Sequence, residues 1–181
     1  MDENRIWAPW RLGYIAGKEV DAESPPEPSR WLEGADRECF MCRAAAIYAD
    51  TPASRRRNLV VDAGQHSLVL LNRYPYSNGH LLVAPQRHVG DLGDLTGDEH
   101  LEIMHSLATF TLALGKQLLA EGFNVGLNLG LAGGAGVPGH LHWHLVPRWR
   151  GDHNFMPTLA GTRVIPQSLE SLWEALVDES A

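Results

Sequence analysis

The stretch Gly139–Arg148 reads Gly-His-Leu-His-Trp-His-Leu-Val-Pro-Arg, and its alternation constrains the fold more than any other part of the 181-residue chain. His140, His142 and His144 recur at two-residue spacing, with Leu141, Trp143 and Leu145 in the opposite phase. Successive side chains of an extended strand point to opposite faces. The pattern therefore predicts a β-strand over 140–147, with imidazoles about 7 Å apart on one face and the apolar side chains turned to a core on the other. A neutral core strand would carry Val or Ile in the histidine slots, because a buried imidazole needs partners for its ring nitrogens. Three imidazoles on one face point instead to a metal site, a nucleophilic histidine, or both.

The rest of the chain predicts what that strand packs on. Apolar runs at 58–62, 67–72 and 80–84 read as short strands, separated by Gly64 and by the turn-forming Tyr74-Pro75-Tyr76-Ser77-Asn78-Gly79. Thr96 and Glu99 form a capping box ahead of a helix whose apolar stripe is Ile103, Leu107, Phe110, Leu114 and Leu118, and Gly122 is placed to end it. Strands follow at 123–129 and 140–147. Leu169, Leu172, Trp173 and Leu176 then have helical spacing, which predicts a C-terminal helix within 167–181. Strands in succession around one long helix give an α+β domain with a mainly antiparallel sheet of about five strands. A single domain is expected from the length and the 44% hydrophobic content: a peripheral arm over 1–37, a core over 38–166 and the terminal helix. The arm contains the proline-rich Ser24-Pro25-Pro26-Glu27-Pro28-Ser29, but its Trp7, Trp10, Tyr14 and Ile15 call for burial over the core or a second subunit, unless the arm is simply mobile.

Composition removes several function classes. A net charge of −7 without a basic stripe argues against nucleic-acid binding, and Arg55-Arg56-Arg57 reads as a solvated turn. No apolar run approaches the roughly eighteen residues of a membrane span. Met1-Asp2-Glu3-Asn4-Arg5 does not open a signal peptide, so a cytoplasmic protein is expected.

His140-Leu141-His142-Trp143-His144-Leu145-Val146-Pro147 resembles the histidine-triad motif at every position. Leu71-Asn72-Arg73 and Asn78-Gly79-His80-Leu81-Leu82-Val83-Ala84-Pro85 resemble the hairpin that precedes it in that superfamily, and the similarity extends from about Cys39 to Pro166. The chain is most similar to the fragile-histidine-triad and diadenosine-tetraphosphate phosphorylase-like branches. The resemblance implies an enzyme that splits dinucleoside polyphosphates, by hydrolysis or phosphorolysis, through a nucleotidyl adduct on the central histidine, His142. It implies that His144 contacts the phosphate oxygens, that Asn72 touches the ribose hydroxyls, that His80 supports the triad, and that Asn128 meets substrate phosphates. It also implies a homodimer with a sheet continued across the interface. A neutral imidazole suits the first step, since it is a strong uncharged nucleophile near neutral pH and its phosphoramidate is readily displaced.

The run Asn128–Gly139 holds five glycines, and amides around Gly134 and Gly136 could approach an anion, although a long hairpin turn has the same composition. Gly136-Val137 departs from the polar residue that many triad proteins carry just before the motif. Two alternatives remain open: a nucleoside monophosphate transferase of the galactose-1-phosphate uridylyltransferase type, disfavoured by His144 at a position where that branch has Gln, and a non-catalytic nucleotide-binding module.

Both cysteines fall in Cys39-Phe40-Met41-Cys42, a spacing that suits two thiolates on one tetrahedral Zn²⁺ through a tight knuckle. In zinc-bearing relatives the positions matching His88 and His140 complete the set, so the resemblance implies a closed, structural Cys39, Cys42, His88, His140 site.

Overall fold

The structure is a computed structural model and describes residues 27–48, 50–152 and 165–177. The aromatic cluster expected at 7–15 lies outside the described residues. Two helices, α1 (Phe40–Ile47) and α2 (Pro52–Arg57), precede strands β1 (Val60–Ala63), β2 (Ser67–Leu71) and β3 (Leu81–Pro85). A 22-residue helix α3 (Gly97–Leu118), strands β4 (Gly122–Leu127) and β5 (Trp143–Arg148), and helix α4 (Leu169–Val177) complete the order. The five strands form one sheet in the order β1-β2-β3-β5-β4, with every pair antiparallel. The α+β expectation holds. No helix among the described residues is long and apolar enough to cross a membrane.

Strand alternation divides the core in two. Val69, Leu71, Leu81, Val83, Leu141, Trp143 and Leu145 face α3 and α4, where they meet Ile103, Leu107, Phe110, Leu114, Leu172 and Trp173. The opposite phase, Val60, Leu68, Leu70, Leu82 and Ala84, packs on Met41, Ala44 and Ala45 of α1. Ile103 and Leu114 are fully enclosed, so truncating either to Ala would cost about 2–5 kcal/mol.

The capping box forms as the sequence predicts: Glu99 N–H donates to Thr96 Oγ1 and Thr96 N–H donates to Glu99 Oε2. Arg87, just beyond β3, adds a two-pronged contact to the same carboxylate at 3.0 Å through both nitrogens. That guanidinium holds the Glu99 carboxyl down at about 2 and fixes the segment carrying His88 to the start of α3.

Several expectations need correction. The helix is not ended by Gly122, which opens β4; it ends at Leu119, in the left-handed region at φ 52°, and Trp149 Nε1–H donates to the orphaned Leu118 carbonyl. Arg55–Arg57 is not a turn but the last turn of α2, which Thr51 caps through Ser54 N–H and Pro52 begins. Arg56 there pairs with Glu174 of α4, and the Arg55 guanidinium sits 5.2 Å from the Tyr48 ring centre. This helix and a positive φ at Leu59 push the start of β1 from 58 to Val60. Likewise β4 stops at Leu127, and β5 begins only at Trp143, because the Leu141 N–H leaves the ladder to reach Val89 O at 2.8 Å.

Candidate active site and metal centre

Although only His144 of the triad lies within β5, the two faces are occupied as the alternation requires. His144 is the cross-strand partner of Leu82 and shares its face, whereas Leu141, Trp143 and Leu145 point into the α3 core. The His142 and His144 ring centres are 5.2 Å apart, edge to face, closer than the Cα repeat of a flat strand suggests. His80 and His140 are wholly enclosed and His142 is 5% exposed.

Cys39, Cys42, His88 and His140 converge from three parts of the chain, their ligand atoms all within 4.8 Å of one another. The dithiol is not a knuckle. Cys39 is the N-cap of α1 and Cys42 lies three residues later, so the helix turn itself puts both sulfurs on one side. Cys39 Sγ is 3.4 Å from His140 Nδ1, and Cys42 Sγ is 3.2 Å from His88 Nδ1 and 3.5 Å from His140 Nδ1. A tetrahedral ion with ordinary metal–sulfur and metal–nitrogen bonds has S···N edges of about 3.6 Å. The three sulfur–nitrogen edges are each somewhat shorter than that, so a small outward shift of these side chains would admit an ion. His140 Nε2 is 2.9 Å from Pro85 O, and a carbonyl only accepts, so the proton sits on Nε2 and the Nδ1 lone pair faces the sulfurs. Burial pushes the Cys42 thiol up to about 12. A Cβ at Gly90 would lie 2.9 Å from Pro138 O, a backbone atom, so the close approach of these loops requires glycine there, and one at Gly139 would be a tight 3.3 Å from His88 Nε2.

The second group of imidazoles is wired differently. His142 Nδ1 lies 2.9 Å from His140 O, which places the proton on Nδ1 and leaves the lone pair on Nε2. For His144 the inference starts two links away. Tyr76 N–H donates to His80 Nδ1 at 3.0 Å, so that nitrogen is an acceptor and the His80 proton is on Nε2. His80 Nε2–H then donates to His144 Nδ1 at 2.9 Å, which leaves the His144 proton on Nε2. That Nε2 is buried and has no hydrogen-bond partner among the described residues. An orphaned buried donor costs about 1–3 kcal/mol, a debt that an incoming phosphoryl oxygen would cancel. Both rings are held neutral: burial, and then the neighbouring imidazoles, lower His80 to about 3 and His144 to about 4. A lone pair on His142 and an N–H on His144 thus lie on adjacent rings, a pairing able to attack an electrophile and bind the charge that develops on it.

The other expected residues are distributed unevenly around this pair. Asn72 accepts from Tyr74 N–H at 2.9 Å and lies 3.2 Å from His80 Nδ1, so it closes a turn and braces His80 at the same time. Asn128 Nδ2 donates to Gly134 O at 3.4 Å, while the Gly134 and Ala135 amides bond to Leu131 O and Gly130 O inside the loop. Among the described residues no hydrogen bond brings Asn128, Gly134 or Gly136 against His142 or His144. Val137, where a polar side chain was missed, packs on the apolar cluster beside the cysteines. Tyr76 has no distinguishing signal in the sequence beyond being one of two tyrosines in the turn before His80.

The HIT domain model matches residues 55–151. AP-4-A phosphorylase of Mycobacterium tuberculosis is 37% identical over 178 residues, 98% of this chain and 84% of the relative. The asymmetrical bis(5'-nucleosyl)-tetraphosphatase of Schizosaccharomyces pombe is 36% identical over 86 residues, 48% of this chain and 47% of that protein. Among solved structures, a Zn-bound histidine triad family protein from Mycobacterium smegmatis superposes with TM-score 0.56 at 29% identity, covering 76% of this chain and 93% of that one. With the triad, its supporting histidine and the fold all in place, the chain belongs to the HIT domain family.

Proposed function

We propose that the chain is a nucleotidyl-transferring enzyme that cleaves diadenosine tetraphosphate or a similar dinucleoside polyphosphate through an adduct on His142. The observation that carries the reading is the opposed wiring of His142 and His144, which exposes a nucleophilic nitrogen beside a neutral N–H donor. The match of almost the whole chain to a phosphorylase supports the substrate class.

In the first step His142 Nε2 attacks a phosphorus adjacent to a nucleoside. A P–N bond forms, the phosphoanhydride P–O bond breaks, and the remaining nucleoside polyphosphate leaves with its electron pair. The His142 Nδ1–H hydrogen bond to His140 O stabilises the positive charge gained by the ring. His144 Nε2–H donates to a phosphoryl oxygen as charge builds up there. In the second step an acceptor oxygen displaces the imidazole: phosphate yields a nucleoside diphosphate and water a monophosphate. Phosphate as acceptor is the reading we favour, on the name of the near full-length relative. Asn72 and His80 keep the pair aligned, and the loop over Asn128, Gly134 and Gly136 would close on the phosphates. His144 at the third triad position argues against the uridylyltransferase alternative.

The metal centre is best filled by Zn²⁺, given two sulfur and two imidazole donors whose ligand atoms lie within 4.8 Å of one another. With all four positions taken by protein, such an ion supplies cohesion between α1, the β3 exit and the triad segment rather than chemistry. A homodimer through β4 fits the sheet order, since β4 is an edge strand with Val125 half exposed, whereas α4 covers the other edge through Trp173 Nε1–H to Val60 O. A cytoplasmic location suits a centre that needs both thiols reduced.

The test is incubation with diadenosine tetraphosphate with and without inorganic phosphate. Phosphate-dependent ADP and ATP are expected; AMP and ATP irrespective of phosphate would make the enzyme a hydrolase, and no turnover of either kind would defeat the proposal.

A further inference from the structure

Tyr76 lies in the turn between β2 and β3 and touches the donor side of the site in two ways. Its backbone N–H holds His80 Nδ1, and its ring covers both His80, with ring centres 4.6 Å apart, and His144, stacked within 22° of parallel at 5.6 Å. Its own ring remains 40% exposed, so it stands between the histidine pair and solvent. The opposite flank of His144 is open: its β4 partner is Gly126, and a Cβ added there would meet nothing within 4 Å. Substrate thus has an approach at Gly126, while the only aromatic cover over the His80–His144 hydrogen bond, among the described residues, is Tyr76.

We propose that Tyr76 is a positioning residue, whose ring keeps water off the His80–His144 hydrogen bond and thereby holds His144 as a neutral Nε2–H donor. The proposal rests on the reading of His144 as the phosphate-binding donor, but its physical part stands on the ring contacts alone. Among the described residues the titratable groups facing the His144 ring are His80, His142 and Tyr76 itself; Leu82 and Gly126, its neighbours in the sheet, are uncharged. Burial is the larger cause of the lowered His144 value, so removing the cover should raise that value toward 6.5.

The experiment compares Tyr76→Phe and Tyr76→Ala in the full chain by two readouts. In protein labelled with ¹⁵N-histidine and free of substrate, the ring nitrogens report tautomer and titration. Tyr76→Phe should match the parent, while Tyr76→Ala should titrate His144 about one pH unit higher. With diadenosine tetraphosphate and phosphate, Tyr76→Ala should keep its kcat near pH 7 and lose about fivefold near pH 4 with KM little changed, because its acid limb moves up by about one unit. Unchanged titration and acid limb in Tyr76→Ala would overturn the proposal, as would a raised KM at constant kcat, which would make Tyr76 a nucleoside contact. If no substrate were turned over, the spectra would still decide the inference, so the two readings fail separately.

Discussion

His140 and His142 are two residues apart and both buried, yet they hold opposite tautomers. His140 donates from Nε2–H to the Pro85 carbonyl and turns Nδ1 to a pair of thiols; His142 donates from Nδ1–H to the His140 carbonyl and keeps a lone pair on Nε2. The ring is the same, and a backbone oxygen decides the role. One consequence of the proposed reading is that the metal centre and the nucleophile are not independent, because the carbonyl that sets His142 belongs to a residue whose side chain would be committed to the metal. A second is that the metal centre is closed and the catalytic pair is open, with an unpaired donor left at His144 Nε2.

The strongest attempt to break this contrast is His142→Ala. It should lower kcat by at least about three orders of magnitude while metal content and melting temperature stay near the parent values. Loss of metal in that variant, measured by elemental analysis, would show that the two centres are not distinct. Next in size is Cys42→Ser, or exposure to a chelator. About one Zn²⁺ per chain should disappear, the thermal midpoint should fall by more than about 10 °C, and residual kcat should drop about 10–100-fold as the His140 carbonyl loses its anchor. Full activity without the metal would leave the centre purely structural and uncouple it from His142.

A smaller effect concerns pH. His80 and His144 sit at about 3 and about 4 in the folded chain against 6.5 in the unfolded one, so unfolding takes up protons at mildly acidic pH. The stability they contribute is complete above about 6.5 and is lost as pH falls through that value toward 4 and then 3. The urea midpoint should fall between pH 7 and pH 5, and by less in His144→Gln; a midpoint that rises would contradict the neutral pair. The smallest effect is a control remote from both centres. Leu119→Gly relieves a left-handed residue at φ 52° and should add about 1 kcal/mol, or about 2–4 °C in thermal midpoint, with no change in kcat or metal.

What the sequence disclosed follows the range of the interactions involved. The alternation of His140, His142 and His144 and the reciprocal Thr96–Glu99 cap are local patterns, and both appear in the structure. The candidate metal ligands Cys39, Cys42, His88 and His140 came half from spacing and half from family likeness, and their ligand atoms do converge. Helices α1 and α2 escaped because they are short and because Ala44–Ala46 and Arg55–Arg57 lack a clear apolar period. The late start of β5 depends on a hydrogen bond from Leu141 to Val89, a partner about fifty residues away that no local pattern reveals. Tyr76 matters through contacts with His80 and His144, which a turn-like composition conceals.

Strand β3 acts as a ruler. His80 stands just before its first residue and His88 three places beyond its last, and their rings meet those of His144 and His140 on the neighbouring segment. Deleting one residue between Leu81 and Pro85 would move every later side chain to the other face, and no local repair could restore the donor pair and the sulfur–imidazole cluster together. The length of this strand is therefore calibrated against two sites at once, and evolutionary drift in its side chains should be far freer than drift in its residue count.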